Sequence, residues 1–529
     1  MKGFGLLSAL LAPFVDAGST TTVDLGYTIH QAEVESTPNG LRYLSFTNVH
    51  YGTASRFQPP EAPPVNRTLQ TAGPYNIQCP QGQPAWLSVA SQPGESWTSV
   101  PPVTEEDLAP IDPSTSEDCL LLDVFVSESV FKARKSRNAS VIVWIHGGGY
   151  VSGSKYTYTP TPNLIETAQN EDKDVIFVPI NYRLGLFGFL VDPDSDEVTR
   201  NLGLLDQQAA LQWVRKYIHL FGGDPNDVTV MGESAGGGSV MYHLTSGDAS
   251  TQSLFQRAII QSPFAIDIPT SQQKSTLQEV FEQSNVSSLE QLKSLSTEEL
   301  QTVNALVVGN AKPYGTFVFG PVIDAPNFPG YPPVLLKNGQ YNKDVSITAG
   351  HNSNEGTLFA SPFVSTDEEY TSLISSFYPG LSATDLSTIS DELYPHDFSG
   401  KYGYTDQTGR VASTIGDSLI ICNAYFLGEA YSDGFRYEFS VPPAMHAGDL
   451  AYTFYMPGSS TAGVNTTLAD IMQTYFVSFS TTGNPYSCGQ EAESPADGMI
   501  QNFNISDVGL IKDTVSAERC GWWQKGAFL

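Results

Sequence analysis

The short stretch from residue 232 to residue 236 constrains the fold of this chain more than any other. It has the sequence Gly-Glu-Ser-Ala-Gly, it directly follows an apolar run at 228–231, and residues 240–244 after it are typical of a helix. A serine hydroxyl that stands at the end of a strand needs a sharp turn, and small residues on both sides let the strand and the helix approach closely. The pattern therefore predicts a strand–turn–helix unit with Ser234 as a nucleophile.

A second glycine-rich stretch, His-Gly-Gly-Gly-Tyr at 146–150, follows another apolar run at 141–145. Attack by a serine on an ester creates an oxyanion, which needs hydrogen-bond donors that are already in place. Glycines allow backbone N–H groups to point into a site without a side chain in the way. Together with the first motif, this stretch predicts the amides of Gly148, Gly149 and Ala235 as the donors.

From about residue 140 onward, predicted strands alternate with predicted helices. Such an alternation favours a large, mostly parallel sheet with helices on both faces. The chain shows no repeats and no long linker, so we expect one domain over residues 18–529, and the polar, helix-prone segment at 270–310 is predicted to form a cap or lid. The predicted strands are 141–145, 175–180, 228–231, 345–349 and 435–441, and the predicted helices are 202–219 and 240–244.

A nucleophilic serine needs a base, and the base needs a carboxylate that orients it. Among the histidines after the serine, His446 follows a predicted strand, whereas His351 and His396 compete with it on spacing alone. Glu355 lies in a loop after the predicted strand at 345–349, and Asp324 in a proline-rich stretch is its competitor. Spacing leaves both choices open.

The composition excludes some classes of function. Asp and Glu outnumber Lys and Arg by 56 to 26, and the formal net charge is -30, which would repel a phosphate backbone. We therefore expect no nucleic-acid partner. Five cysteines permit two disulfides with one thiol left over, and no Cys-x-x-Cys pair or His-Glu-x-x-His helix predicts a metal site.

The first 17 residues are typical of a signal peptide. Lys2 precedes a short apolar run at 4–15, and Val15 and Ala17 are small residues suited to a cleavage site. The run is shorter than the roughly 20 apolar residues that cross a bilayer, so we expect secretion without a stable membrane anchor. No later stretch is predicted to cross a membrane. Five sequons could carry glycans in a secreted protein, at Asn66, Asn138, Asn285, Asn465 and Asn504.

Beside the stretches at 146–150 and 232–237, further distinctive motifs lie at 117–120, 181–185, 201–207, 221–225 and 354–356. Together they resemble the motifs of the type-B carboxylesterase/lipase family, which includes the cholinesterases and secreted fungal lipases. The resemblance runs from about residue 25 to the C-terminus, and it implies an α/β-hydrolase fold. It also implies a triad of Ser234, Glu355 and His446, with Glu233 as a buried glutamate that tunes the electrostatics of the site.

The same resemblance implies further features of the fold. Disulfides Cys79–Cys119 and Cys422–Cys520 are expected, with Cys488 left free. Buried ion pairs are expected between Arg56 and Glu117 and between Arg183 and Asp206.

The sequence also departs from the family. Ala447 stands where the family usually has glycine after the catalytic histidine, which puts the fine geometry of that loop in question. Choline-binding members use a tryptophan in the first disulfide loop, but here Trp86 and Trp97 both lie in that loop and neither can be assigned. We therefore do not expect cholinesterase activity.

The expected reaction is hydrolysis of a carboxylic ester through an acyl-enzyme, without a cofactor, on a small-molecule or lipid ester. One alternative is an acyltransferase or transesterase that passes the acyl group to a metabolite, and another is a non-catalytic binding protein on the same fold. Phe317 and Phe319 either line an acyl pocket or belong to the core. The sequence predicts neither the particular ester nor the oligomeric state.

Overall fold

A computed structural model describes residues 21–73, 77–92, 99–157, 162–248, 254–458, 463–486 and 498–528. The predicted signal peptide at 1–17, Trp97 and Cys488 lie outside the described residues.

The centre of the molecule is a sheet of eleven strands in the order β14-β13-β12-β11-β10-β9-β7-β8-β6-β4-β3, and a second sheet has the order β1-β2-β5. The strands are β1 (Thr22–Asp24), β2 (Thr28–Gln31), β3 (Glu33–Ser36), β4 (Arg42–His50), β5 (Asn66–Gln70), β6 (Leu121–Ser127), β7 (Ala139–Ile145), β8 (Val175–Ile180), β9 (Gly223–Glu233), β10 (Arg257–Gln261), β11 (Ser346–Asn352), β12 (Phe435–Phe439), β13 (Met499–Phe503) and β14 (Gly509–Lys512).

The strands from β13 to β8 in this order pair in parallel, and the outer strands at both sides pair antiparallel. The parallel strands β7 and β8 are buried along their whole length, which explains their continuous apolar sequences. Alternate side chains of β7 enter opposite cores, with Val143 in one and Trp144 in the other. The expected α/β-hydrolase fold with a large, mostly parallel sheet is confirmed.

Helices cover both faces of the large sheet. They are α1 (Trp86–Ala90), α2 (Glu128–Lys132), α3 (Asn163–Asn170), α4 (Gly185–Phe189), α5 (Leu202–Tyr217), α6 (Ala235–Leu244), α7 (Thr270–Ser284), α8 (Leu289–Ser294), α9 (Thr297–Gly309), α10 (Pro332–Lys337), α11 (Asp367–Phe377), α12 (Ala383–Ser387), α13 (Gln407–Gly416), α14 (Cys422–Ala430), α15 (Leu450–Thr453), α16 (Thr466–Thr482) and α17 (Ala517–Trp523).

The segment at 270–310 forms the three helices α7, α8 and α9, as its polar, helix-prone sequence predicted. Ser288 and Ser296 cap the second and third of these helices through their side-chain oxygens. Gln272 of α7 donates a hydrogen bond to the Phe317 carbonyl oxygen at 3.2 Å. These helices therefore contact the loop that carries one of the candidate pocket residues.

One continuous helix spans 407–430, because α13 and α14 are joined by a π-helical turn. It is long and apolar enough to cross a membrane by length and composition alone, which the sequence analysis did not predict. Two thirds of its most apolar window is buried inside the protein, as expected of a core helix.

Both expected disulfides are present, Cys79–Cys119 and Cys422–Cys520. Arg183 and Asp206 form a buried ion pair at 2.7 Å, with side chains 6% and 0% exposed. The pair between Arg56 and Glu117 is also formed, but its side chains are 18% and 25% exposed. The second pair was expected to be buried, but it is only partly buried. The reason is that Arg56 and Glu117 lie where α8 and α9 meet the surface.

Candidate active site

Ser234 stands at the sharp turn between β9 and α6. Its φ of 56° and ψ of -122° are strained for a residue with a side chain. A Cβ on Gly232 would lie 2.6 Å from the Gly236 backbone, and one on Gly236 would lie 2.0 Å from the Ile145 carbonyl oxygen. Both glycines are therefore needed for the strand and the helix to approach, as the motif predicted.

His446 lies within hydrogen-bond distance of both other members of the expected triad. Its Nε2 is 2.8 Å from the Ser234 Oγ, and its Nδ1 is 2.6 Å from the Glu355 Oε2. The three side chains follow β9, β11 and β12, which lie close together in the sheet. Because parallel strands end at the same edge of a sheet, residues far apart in sequence meet there.

The competing residues lie elsewhere. His351 contacts the Asn352 carbonyl oxygen, and His396 pairs with Asp367 at the surface. The Asp324 carboxylate lies 3.8 Å from Arg200. None of the three side chains has a hydrogen bond or a salt bridge to the nucleophile in the described part of the chain.

The Glu355 carboxylate is held by several donors. Its Oε1 accepts hydrogen bonds from the Ser262 hydroxyl at 2.6 Å and from the Asn352 backbone N–H at 2.6 Å. Burial alone raises the pKa of this carboxyl, but His446 and the hydrogen bonds outweigh burial and hold the pKa below its usual value. Glu355 is therefore ionised and able to orient the imidazole.

The loop after β12 keeps the His446 geometry although it lacks the family's glycine. Ala447 has a φ of 65°, which is the left-handed region where glycine has no steric penalty. An alanine in this conformation costs about 1 kcal/mol or more. The sequence departure is therefore accommodated as backbone strain.

Glu233 is a second carboxylate beside the imidazole, and it is fully buried. Its Oε1 lies 3.4 Å from the His446 Nε2, and neither of its oxygens has a hydrogen-bond partner in the described part of the chain. Burial raises the pKa of Glu233 to about 8. Burial lowers the pKa of His446, but Glu233 and Glu355 outweigh it and raise that pKa to about 9.

In the glycine loop after β7, two of the three expected oxyanion-hole amides belong to residues with positive φ. Gly148 and Gly149 have φ values of 108° and 62°, and neither amide donates a hydrogen bond within the described part of the chain. A Cβ on Gly149 would lie 2.1 Å from the Phe317 ring, so that ring packs directly on the glycine. Ala235 begins α6, so its amide lies at the positive end of a helix.

Aromatic rings lie beside the expected triad. Phe359 packs against His446 with ring centroids 5.2 Å apart, and Phe264 lies 5.5 Å from Phe317. Trp86 contacts Phe317 at 5.6 Å, so it belongs to this apolar wall. Phe319 is only 2% exposed and packs in the core instead. Of the two candidate pocket residues, Phe317 thus lies at the site.

Sequence reasoning missed Asp449, a fully buried carboxylate three residues after His446. It accepts hydrogen bonds from Gln261 at 2.9 Å and Tyr437 at 3.0 Å, and Asn352 lies within 3.3 Å. Burial raises the pKa of Asp449. The sequence does show a carboxylate three residues after the histidine. Its partners lie on three different strands, however, so the sequence did not indicate that they meet around this carboxylate.

Among the residues that the structure describes, no group of three or more His, Cys, Asp or Glu side chains could hold a metal.

Comparison with known proteins gives a consistent result. Residues 28–517 match the Carboxylesterase family. Carboxylesterase patB of Penicillium expansum is 34% identical, over 97% of this chain and 97% of the relative. A secreted lipase of Arthroderma benhamiae is 30% identical, over 76% of this chain and 81% of the relative. The crystal structure of Aspergillus niger EstA is 25% identical with a TM-score of 0.79, over 96% of this chain and 99% of that structure.

Proposed function

Because the chain belongs to the carboxylesterase family and is a carboxylic ester hydrolase, we propose that Ser234, His446 and Glu355 form its catalytic triad. The observation that carries this proposal is the pair of contacts of His446, at 2.8 Å to the serine oxygen and 2.6 Å to the carboxylate. A base must lie within about 2.6–3.2 Å of the heavy atom whose proton it removes, and the 2.8 Å between His446 Nε2 and Ser234 Oγ satisfies that condition.

In the first half of the reaction, the Ser234 oxygen attacks the ester carbonyl while His446 takes the hydroxyl proton. The amides of Gly148, Gly149 and Ala235 hold the resulting oxyanion, which would otherwise be unstable in this apolar site. His446 then gives its proton to the leaving alcohol, and the acyl group remains on the serine as an ester.

In the second half, a water molecule replaces the alcohol. His446 removes a proton from the water as it attacks the acyl-enzyme, and the acid is released when that proton returns to the Ser234 oxygen. Glu355 fixes the imidazole with its Nδ1–H toward the carboxylate in both halves. Glu233 favours the imidazolium form that each transition state contains.

The replacement Ser234→Ala tests the proposal directly. We expect it to abolish turnover of p-nitrophenyl butyrate while the thermal unfolding curve is retained, because only the nucleophilic oxygen is lost. Ser275→Ala, on an exposed face of α7, is the matched control and should keep full activity. A fluorophosphonate should label the control but not the Ser234→Ala protein. Undiminished turnover by that protein would refute the assignment.

We also propose that the protein is secreted after removal of residues 1–17. Two disulfide bonds suit an oxidising compartment, and the similar Arthroderma protein is a secreted lipase. The sequons differ in accessibility, since Asn66, Asn138 and Asn285 are exposed, whereas Asn465 and Asn504 are partly buried. The exposed three are the better candidates for glycosylation.

A further inference from the structure

The loop that carries His446 is strained on both sides of the histidine. Ala444 and Ala447 have φ values of 51° and 65°, in the left-handed region that a residue with a side chain disfavours. Such conformations persist only where contacts with the surrounding structure hold them. Residues 443–449, here called the base loop, therefore depend on groups outside the loop.

Asn354 holds the base loop before the histidine. Its backbone N–H donates a hydrogen bond to the Ala444 carbonyl oxygen at 2.9 Å, and its side-chain Nδ2 donates to the Pro443 carbonyl oxygen at 2.7 Å. The two bonds fix consecutive peptide groups shortly before His446. Asn354 is exposed, so its side chain does not serve to fill the core.

Asn352 holds the base loop after the histidine. Its Oδ1 accepts a hydrogen bond from the Asp449 backbone N–H at 3.2 Å, and its Nδ2 lies 3.3 Å from the Asp449 Oδ1. Both residues are 0% exposed. Because Gln261 and Tyr437 donate to the other carboxylate oxygen of Asp449, this end of the base loop is tied to three neighbouring strands.

Both asparagines belong to the segment that carries the acid of the triad. Asn352 is the last residue of β11, and its backbone N–H donates to the Glu355 Oε1 at 2.6 Å. Asn354 immediately precedes Glu355. The carboxylate that orients the imidazole and the two side chains that hold the base loop thus lie within four consecutive residues.

We propose that Asn352 and Asn354 are positioning residues, which hold the strained base loop from both sides and so keep the His446 Nε2 directed at the serine oxygen. Neither residue contacts the reacting atoms, so each acts through His446. The inference rests on the proposed function, which makes His446 the base. This hold from both sides allows alanine at position 447, where the family usually has glycine.

The test measures kcat and KM for p-nitrophenyl butyrate in two variants. Asn354→Ala loses one hydrogen bond at the surface, and its kcat should fall about three- to tenfold while KM stays within about twofold. Asn352→Ala loses both contacts with Asp449, and its kcat should fall about tenfold or more. Because Asn354 is exposed, its variant keeps the test valid even if the buried change unfolds the protein.

Glycine substitutions in the base loop separate positioning from a structural role. Glycine adopts positive φ without a steric penalty, so a base loop with Ala447→Gly depends less on its partners. The loss of kcat caused by Asn352→Ala should therefore be smaller by about threefold or more in the Ala447→Gly protein. Ala444→Gly should reduce the loss caused by Asn354→Ala in the same way. A hydrogen bond that only supported the fold would give equal losses with and without the glycine.

Gln169→Ala is the matched control. The Gln169 Nε2 donates to the Lys173 carbonyl oxygen at 2.9 Å, and this bond lies before β8 begins, at the edge of the sheet opposite the triad. The control should lower the Tm while kcat keeps its native value, because the lost bond supports the fold alone.

Two results would overturn the inference. One is a native kcat in Asn354→Ala, and the other is a loss of kcat that stays the same when glycine replaces the alanine. Either result leaves the proposed function standing if Ser234→Ala is inactive on the same ester. Persistent activity of Ser234→Ala would instead overturn the proposed function.

Discussion

Replacement of Glu233 by glutamine should shift the pH dependence of catalysis toward acid. The two side chains have the same shape, which matters because Gly147 packs so tightly here that a Cβ on it would lie 2.7 Å from the Glu233 carboxylate. The change removes one negative charge 3.4 Å from the His446 Nε2. The contacts of His446 with Ser234 and Glu355 remain.

The size of the shift follows from that distance. Two unit charges 3.4 Å apart in a medium of effective dielectric constant 20 attract each other by about 5 kcal/mol, which corresponds to about 3.6 pKa units. Glu233 has a pKa of about 8, so it carries its full charge only above that pH, and the two groups titrate as a coupled pair. We therefore expect the pKa of the imidazole to fall by about 1 to 3 units.

The sign is fixed by the mechanism. The base must be neutral in the free enzyme, so kcat/KM rises with pH through the pKa of His446, which Glu233 and Glu355 raise to about 9. Loss of the Glu233 charge lowers this pKa. The acid limb of the profile should consequently move to lower pH, with a smaller kcat at the plateau because the imidazolium is less stabilised in the transition state.

The assay is a pH profile of kcat/KM for p-nitrophenyl butyrate from pH 5 to pH 10, followed with a pH-stat. Glu368→Gln, an exposed change on α11, serves as the control and should keep the native profile. An acid limb that stays in place or moves to higher pH in Glu233→Gln would show that this carboxylate does not control the pKa of the base.

Two further predictions concern stability. Lys155→Met should lower the free energy of unfolding by about 3–5 kcal/mol in urea titrations. The reason is that the change removes the partner of Asp123 from an ion pair whose two side chains are both 0% exposed. An equal loss in the surface variant Lys274→Met would contradict the argument. Cys520→Ser should lower the free energy of unfolding by up to about 4–5 kcal/mol, because the disulfide bond to Cys422 spans a sequence separation of 98 residues. An unfolding midpoint equal to that of the native protein would contradict this prediction.

The sequence predicted the centre of the fold well because the relevant signals are local. A buried parallel strand is apolar along its whole length, and β7 and β8 show this in consecutive residues. The glycines at 232 and 236 are required by contacts within a few residues of the turn or with the adjacent strand. The small sheet of β1, β2 and β5 was not predicted, since its short strands have mixed burial.

The surroundings of the candidate site could not be predicted in the same way. Ser262 reaches Glu355 because β10 and β11 are neighbours, and its φ of 45° places a non-glycine residue in an unusual conformation. Asp449 is fully buried and accepts hydrogen bonds from Gln261 and Tyr437, which lie on two different strands. Such properties arise from tertiary packing, and no spacing or periodicity in the chain encodes them.

The parallel strands β9, β10, β11 and β12 hold the starting points of the three reacting side chains in register through backbone hydrogen bonds. The connection between β10 and β11 carries the helices α7, α8 and α9, which take no part in the strand register. Insertions or exchanges within these three helices can therefore change the surroundings of Phe317 while the strands keep their register. Exchange of the segment that holds these helices between related chains is, for this reason, a practical route to new selectivity.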